Sequence, residues 1–287
     1  MFPSVLAPTG AEKSLPQSAV RGAAGGGFVF PSYPPGSLMG LPVLRWTRRP
    51  SYLMPAVTTA AVATSLAAQF AKANSEWLDR VSLVGRSVTN KASWQGWVYA
   101  NSFDTYGGIS AECDAYVGKS WVFAHEITSA GKLAWVQSDS SYGECAGIAT
   151  GGWHQVAWTF DGTASGNANR LQIYIDGSSQ ALTFSGTIDS QLNNTGQAYN
   201  LGRIGGLANS FWDGLIQGAG YYEDAKTAGE ISTLYNAGAG QLYAAATHTN
   251  LVAWHDLGEV SGTRADSTAN GNTMSDNNSV TSATGHM

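Results

Sequence analysis

The sequence predicts an all-β fold. Only 12% of the 287 residues are charged, whereas glycine (35), tryptophan (10) and tyrosine (12) are abundant. Aromatic residues interspersed with Ser, Thr and Asn favour strands, and frequent glycines favour the turns between them. Glu, Lys and Leu are too sparse for a coiled coil or a helical bundle, and the 43% hydrophobic content excludes general disorder.

Strand patterns begin after residue 64 and are separated by turn signals. The clearest alternation lies in residues 153–160, where Val156, Trp158 and Phe160 share one face. Further strands are predicted over 93–99, 120–127, 132–137 and 170–175. An Asp-Gly pair, which favours a turn, follows two of these strands. Turn signals at such regular intervals are typical of a sandwich or barrel.

One short helix is predicted over residues 228–237. Thr227 is placed to cap its first turn, and Glu230 completes a capping box. Gly238 is expected to end it. The apolar face of this helix carries Ile231, Leu234 and Tyr235. We therefore expect one short peripheral helix on an all-β body.

Composition divides the chain into two parts. Residues 1–57 carry five basic side chains and one acidic, with frequent Pro and Gly, and predict a leader or flexible linker. Residues 58–287 predict the folded domain and hold 10 basic and 19 acidic side chains. Because an acidic body does not neutralise phosphates, no nucleic acid partner is expected. The apolar stretch 52–68 is broken by Pro55 and diluted by threonine, so no membrane insertion is predicted.

Several short motifs stand in a fixed order between residues 64 and 243. They include Asn-Ser-Glu-Trp-Leu at 74–78, Gly-Trp-Val at 96–98, Gly-Trp-His-Gln-Val-Ala at 152–157, Ile-Tyr-Ile-Asp-Gly at 173–177 and Trp-Asp-Gly-Leu-Ile at 212–216. In this order they resemble the laminin-G-like (LamG) domains of the concanavalin A-like lectin and glucanase superfamily. The resemblance implies a two-sheet antiparallel jelly-roll β-sandwich.

The segment 251–287 resembles the first strand of that family and the loop after it, although such a strand normally precedes the others. Two interpretations remain open: the segment folds back to complete the sandwich, or it starts a truncated second module. A sandwich that lacks a strand exposes unpaired backbone groups at an edge. We therefore expect residues 251–256 to pair within the domain.

The loop 266–272, Asp-Ser-Thr-Ala-Asn-Gly-Asn, resembles the calcium loop of the family. The resemblance makes Asp266, Asn270 and Asn272 candidate ligands of Ca²⁺, a hard cation that takes 6–8 oxygen atoms. Ala269 stands where the family has glycine, and Gln217 stands where an acidic residue is common. The alternative is a polar Asx-turn loop without a metal.

No constellation of residues predicts catalysis. His125-Glu126 begins like a zinc-protease helix but lacks the second His, and both residues lie in a strand pattern that places them on opposite faces. No stretch supplies the two carboxylates, about 5–5.5 Å apart, that a retaining glycosidase needs. The sequence therefore does not predict an enzyme.

Aromatic side chains are the candidate ligand-binding groups, because their faces stack on sugar rings. Four tryptophans lie inside strand patterns and are expected to be packing residues: Trp97, Trp153, Trp158 and Trp254. Three others are the candidates for binding a ligand at the surface: Trp121, Trp135 and Trp212.

Cys113 and Cys145 are too few for a metal site. They form either one disulfide, in an oxidising compartment, or two buried thiols.

The combined prediction is a non-catalytic binding module of a surface or secreted protein. It would recognise carbohydrate or a surface protein through rim loops or its concave face, at an extracellular, cell-surface or virion location. The first alternative is a structural repeat or adhesion unit of a virion or cell-surface protein, which packs against neighbouring repeats of a larger assembly and has no small-ligand activity. The second alternative is a glycoside hydrolase.

Overall fold

The computed structural model describes residues 65–103, 105–115, 120–192, 196–243 and 248–287, with the backbone alone at 114–115 and 120–125. The predicted leader or linker, residues 1–57, lies outside the described residues. Within them, the strands β1 to β16, numbered in chain order, form two antiparallel sheets that pack as a sandwich.

Sheet A has the strand order β10-β9-β8-β3-β13-β1-β16, and β14 pairs with β13 beside β1. Its strands are β1 Leu66–Phe70, β3 Lys91–Ala100, β8 Trp153–Asp161, β9 Leu171–Ile175, β10 Ser178–Ser179, β13 Gly214–Tyr222, β14 Leu251–His255 and β16 Thr281–Thr284.

Sheet B has the order β11-β7-β6-β5-β4-β12-β2-β15. Its strands are β2 Trp77–Arg80, β4 Gly107–Ala115, β5 Ser120–Ile127, β6 Leu133–Ser138, β7 Ser141–Cys145, β11 Thr183–Ser185, β12 Tyr199–Leu201 and β15 Ser275–Asn277. The predicted two-sheet antiparallel sandwich is confirmed.

The main core lies between the two sheets. Trp135 of sheet B stacks on Phe160 of sheet A, with ring centroids 5.8 Å apart, and packs against Trp158 at the same distance. Val156, Trp158 and Phe160 all point into this core, as the alternation in β8 predicts. Each such aromatic side chain buries a large apolar area.

A buried polar group also crosses the core and joins the two sheets. Arg86 Nε lies 3.1 Å from Glu112 Oε2 of β4 and donates a 2.9 Å hydrogen bond to the Tyr221 hydroxyl of β13. The Tyr221 hydroxyl in turn donates to Glu112 Oε2 at 3.3 Å. Because the side chains of Arg86 and Glu112 are both buried, each charge depends on the other.

The peripheral helix is α2, Ala228–Tyr235, and it has the predicted capping box between Thr227 and Glu230. Its end differs from the prediction. Asn236, rather than Gly238, takes the left-handed conformation after the last turn, since a short polar side chain tolerates that conformation. A one-turn helix, α1, Asn167–Arg170, precedes β9 and was not predicted. No helix of the described part of the chain is long and apolar enough to cross a membrane.

The C-terminal segment folds back onto the same sandwich. Strand β14 pairs with β13, β15 with β2, and β16 with β1, so residues 251–287 contribute to both sheets. Of the two interpretations, the structure therefore shows the fold-back and not the start of a second module.

Candidate functional site

A pocket opens on the outer face of sheet B, the face turned away from the core. Its position follows from the strand register: Glu126 of β5 pairs with Ala134 of β6, and Ala134 pairs with Glu144 of β7. The small side chain of Ala134 forms the floor between two long acidic side chains. The pocket has a volume of about 290 Å³, near the lower end for small-molecule sites. It is lined by Tyr106, Glu126, Thr128, Ala134, Val136, Asp139, Tyr142 and Glu144, and we call it the sheet B pocket.

Glu126 is the unusual group of this pocket. The residue is 5% exposed, and its carboxylate has no hydrogen-bond or ion-pair partner among the described residues. Burial raises the pKa of Glu126 to about 7, because the charged form loses hydration that no partner replaces. A strongly shifted carboxyl group in a concave site is a recognised indicator of function.

Glu144, on the opposite side of the floor, has a partner. Its Oε1 accepts a 2.7 Å hydrogen bond from Nζ of Lys132. Lys132 lies in the turn between β5 and β6. Hydrogen bonding to Glu144 raises the pKa of the Lys132 amino group. Half of the Lys132 side chain is exposed, and Lys132 does not line the pocket. The described lining of the sheet B pocket is therefore acidic.

Tyr106 forms one edge of the pocket and is exposed to 44%. Its φ of 63° is left-handed, which costs a bulky L-residue about 1–2 kcal/mol. Tyr106 also lines a second, open depression with Lys72, Thr105, Leu207, Ala208 and Asn209. Strained residues that persist in a fold are concentrated at ligand sites. An exposed aromatic ring thus stands between two adjoining hollows.

The structure corrects the predicted tryptophan surface. Trp135 is 0% and Trp212 is 1% exposed, so neither offers a face to a ligand. Alternation in the strand explains Trp135: its neighbours Ala134 and Val136 point outward, and Trp135 points into the core. The side chain of Trp121 lies outside the described residues. Neither of the two described candidates, Trp135 and Trp212, therefore contributes to a surface site.

The predicted calcium ligands are close together, but their oxygen atoms already have partners. Asp266 Oδ1 accepts from the backbone N–H groups of Trp254 and Thr268, and Oδ2 accepts from the Thr268 hydroxyl and from Asn272 N–H. Asn272 Oδ1 accepts from Val84 N–H at 2.7 Å, and Asn270 Nδ2 donates to Val252 carbonyl.

Hydrogen-bond donors thus already use the oxygen lone pairs that a bound cation would need. Gln217, at the position where the family commonly has an acid, instead accepts from the N–H groups of His286 and Met287 through Oε1. The described residues contain no cluster of three or more His, Cys, Asp or Glu that could hold a metal. With these hydrogen bonds in place, the loop offers few free oxygen lone pairs to Ca²⁺ and fits the cation poorly.

The two cysteines lie on opposite faces of sheet B. Cys145 packs in the main core, whereas Cys113 packs on the outer face with Ala111, Val136 and Ile204. Their strands, β7 and β4, are three strand spacings apart, about 14 Å, whereas a disulfide needs Cα atoms within about 7 Å. The disulfide interpretation is wrong, and both residues are buried thiols. Burial raises the pKa of the Cys145 thiol to about 11.

The outer face of sheet A is largely covered. Helix α2 packs on it through Ile231 and Leu234. The ring of His286 lies 3.9 Å from that of Trp97, which is buried beneath it. Tyr99 and Trp153, with ring centroids 5.8 Å apart, remain half-buried there. They form an aromatic surface on the other sheet and are not part of the sheet B pocket.

Sequence reasoning missed Glu126, Glu144 and Tyr106 as a group. The signal for the first two was present, since each lies on the outward position of its own strand. What placed them together is the pairing of β5, β6 and β7, which is set by contacts between strands and not by spacing along one strand.

Comparisons with known proteins agree with this architecture. Residues 78–232, more than half of the chain, match the family Laminin_G_3, described as a concanavalin A-like lectin/glucanases superfamily domain. No curated protein sequence matches the chain significantly.

Similar solved structures include a suspected carbohydrate-binding protein from Bacteroides ovatus, at 16% identity and a TM-score of 0.58, covering 77% of this chain and 60% of that one. The chain thus spans about 60% of that protein's length. The CBM40 domain of Ruminococcus gnavus IT-sialidase, bound to α2,3-sialyllactose, has 12% identity and a TM-score of 0.42, covering 55% of this chain and 92% of that one. Identities this low show the fold alone.

Proposed function

The chain belongs to the concanavalin A-like lectin/glucanase superfamily, and on that premise we propose that it is a non-catalytic carbohydrate-binding module. The sheet B pocket is its proposed binding site. The observation that carries this proposal is the buried carboxylate of Glu126, which has no partner among the described residues and lies in a pocket edged by the exposed ring of Tyr106. The carbohydrate-binding assignment of the similar protein from Bacteroides ovatus is consistent with it.

The chemistry of the pocket suits a sugar ring. A pyranose has one apolar face, which stacks on an aromatic ring, and a rim of hydroxyl groups. Tyr106 and Tyr142 provide aromatic surface, while Glu126, Asp139 and Glu144 accept hydrogen bonds from hydroxyl groups. Hydrogen bonds to charged acceptors are stronger than neutral ones and add direction to the apolar contact.

A glycan array probed with the full chain tests the proposal. We expect binding to a set of glycans, and we expect Tyr106→Ala to weaken it at least tenfold. Tyr99→Ala is the matched control, because it removes a half-buried tyrosine from the other sheet. Binding that is lost in the Tyr99 variant and kept in the Tyr106 variant would place the site on sheet A. No binding at high protein concentration would favour the structural-repeat alternative.

A glycoside hydrolase is the second candidate, because of one specific feature. Glu126 has a pKa of about 7, as a general acid requires, and Glu144 lies two strands away, about 10 Å between Cα atoms. A second carboxyl group on the same face of the sheet is what an inverting glycosidase needs as its general base. Release of reducing sugar from a polysaccharide that is lost in both Glu126→Gln and Glu144→Gln would establish this activity.

Location and partners complete the proposal. We propose that the chain acts outside the cell, at a cell surface or on a virion, where glycans and surface proteins are accessible. Packing against neighbouring repeats of a larger assembly is compatible with the same pocket if the outer face of sheet B stays open. Labelling of intact cells or particles with an antibody to the chain tests this location, and exclusively intracellular protein would contradict it.

A further inference from the structure

The charge around the sheet B pocket is one-sided. Three of its described lining residues are acidic, namely Glu126, Asp139 and Glu144, and none is basic. The nearby cation Lys132 is held by Glu144 at 2.7 Å and lies outside the lining. An anionic sugar in this pocket would meet like charges in a partly desolvated site, whereas a cationic group would meet opposite charges.

Among the residues that the structure describes, Glu126 has no cationic partner. Buried carboxylates in proteins are normally paired, because a solitary buried charge loses its hydration without replacement. Glu126 is only 5% exposed. It lines the pocket and has no partner among the described residues. A ligand that brings a positive group to Glu126 would supply the missing partner.

The form of that positive group is restricted by the geometry. The described residues include no cluster of acidic, His or Cys side chains suited to a metal ion, so a divalent cation would lack ligands here. An ammonium group needs fewer oxygen ligands, and it is also attracted to the faces of aromatic rings. Tyr106 and Tyr142 provide such rings at the edges of the same pocket.

Resting on the proposed function, we infer that the sheet B pocket selects a sugar with a free amino group over its N-acetylated and acidic counterparts. The ammonium group pairs with the Glu126 carboxylate, while Glu144 and Asp139 accept from neighbouring hydroxyl groups. N-acetylation removes the positive charge, and a sugar carboxylate adds a negative one. Both changes therefore weaken binding.

Titration calorimetry on the full chain at pH 7 tests this inference. The probes are a glucosamine oligosaccharide, the N-acetylglucosamine oligosaccharide of equal length, and sialyllactose as the acidic sugar. We expect the glucosamine form to bind at least tenfold more tightly than the N-acetylated form, and sialyllactose to bind most weakly. In Glu126→Gln the ratio between the first two should fall to about one.

Glu230→Gln is the matched control. It removes one negative charge beside sheet A, and glutamine can replace glutamate in the capping box of α2. The tenfold ratio should persist in this variant. If the ratio fell equally in Glu126→Gln and Glu230→Gln, the net charge of the protein and not Glu126 would be responsible. The inference would then be wrong.

Two further outcomes separate this inference from the proposed function. Equal or tighter binding of the N-acetylated or acidic sugar by the wild-type chain would overturn the inference and leave a carbohydrate-binding function in place. Absence of binding to every sugar on the array and in the calorimeter would overturn both. Circular dichroism of Glu126→Gln confirms that any change in the ratio occurs in a folded protein.

Discussion

Glu126 and Glu144 lie on the same face of sheet B, two strands apart, with Ala134 directly between them. Two long acidic side chains on either side of a methyl group leave a hollow that water or a ligand must fill. Glu144 has Lys132 as its partner, whereas Glu126 has none among the described residues. This difference in pairing between the two carboxylates supports the proposed binding site.

Replacing Glu126 with Gln should stabilise the protein at alkaline pH. The pKa of Glu126 is raised to about 7 by burial, so between pH 4.5 and 7 the folded state binds more protons than the unfolded state. Stability therefore falls as pH rises through that window, and Glu126→Gln removes this loss. The variant should be more stable than wild type by about 3 kcal/mol at pH 8 and by little at pH 4.

Urea unfolding at both pH values measures this difference. The charged groups close to Glu126, which are Glu144, Asp139 and Lys132, are the same in both proteins. Glu230→Gln should show no comparable gain at pH 8. A Glu126→Gln variant that is equally stable or less stable than wild type at pH 8 would show that the carboxylate has a cation partner in solution.

Replacing Tyr106 should affect ligand binding more than folding. Tyr106 is 44% exposed, so its ring contributes less to packing than a core aromatic side chain does. We expect Tyr106→Ala to weaken glycan binding at least tenfold, which is about 1.4 kcal/mol, with a small change in melting temperature. Tyr106→Phe keeps the aromatic face and should retain most of the affinity. Full affinity in Tyr106→Ala would exclude stacking on this ring.

Calcium should have no effect on stability through the 266–272 loop. Asp266 accepts hydrogen bonds from Trp254, Thr268 and Asn272, so Asp266→Ala should cost about 3 kcal/mol by leaving these donors unpaired. The cost should be the same in excess Ca²⁺ and in excess chelator. Thermal unfolding under both conditions is the measurement. A wild-type melting temperature that rises with Ca²⁺, and no longer does so in Asp266→Ala, would restore the calcium hypothesis.

Breaking the buried pair between the sheets should be costly. Glu112→Gln leaves Arg86 without its carboxylate at 3.1 Å, and removing one partner of a buried pair typically costs about 3–5 kcal/mol. The double variant Arg86→Met/Glu112→Leu should recover most of that loss. Lys91 forms a 3.5 Å pair with Asp161 at the surface, so Lys91→Met should change stability by less than about 1 kcal/mol. Equal effects of Glu112→Gln and Lys91→Met would contradict this interpretation of the core.

Local patterns predicted the fold well where one face of an element is buried. The alternation in residues 153–160 predicts β8, and the capping box of Thr227 and Glu230 predicts α2. These signals operate within a few residues along the chain. The return of 251–256 to β13 followed from the cost of an unpaired sheet edge, which is also a general physical constraint.

The candidate site could not be predicted in the same way. Trp135 was among the predicted surface candidates for stacking on a sugar ring, but its burial depends on which face of β6 meets the core. A one-residue change in register would have exposed Trp135 and buried Ala134 and Val136. The pocket likewise depends on the register of three strands, and no spacing within one strand encodes it.

The central claim is that ligand binds in the sheet B pocket, and an NMR titration of the full chain with the tightest glycan from the array tests it most directly. We predict that backbone and side-chain signals of Tyr106, Glu126 and Glu144 shift with the ligand, while those of Tyr99 and Trp153 stay in place. Shifts confined to Tyr99 and Trp153, with the three pocket residues unchanged at saturation, would contradict the claim.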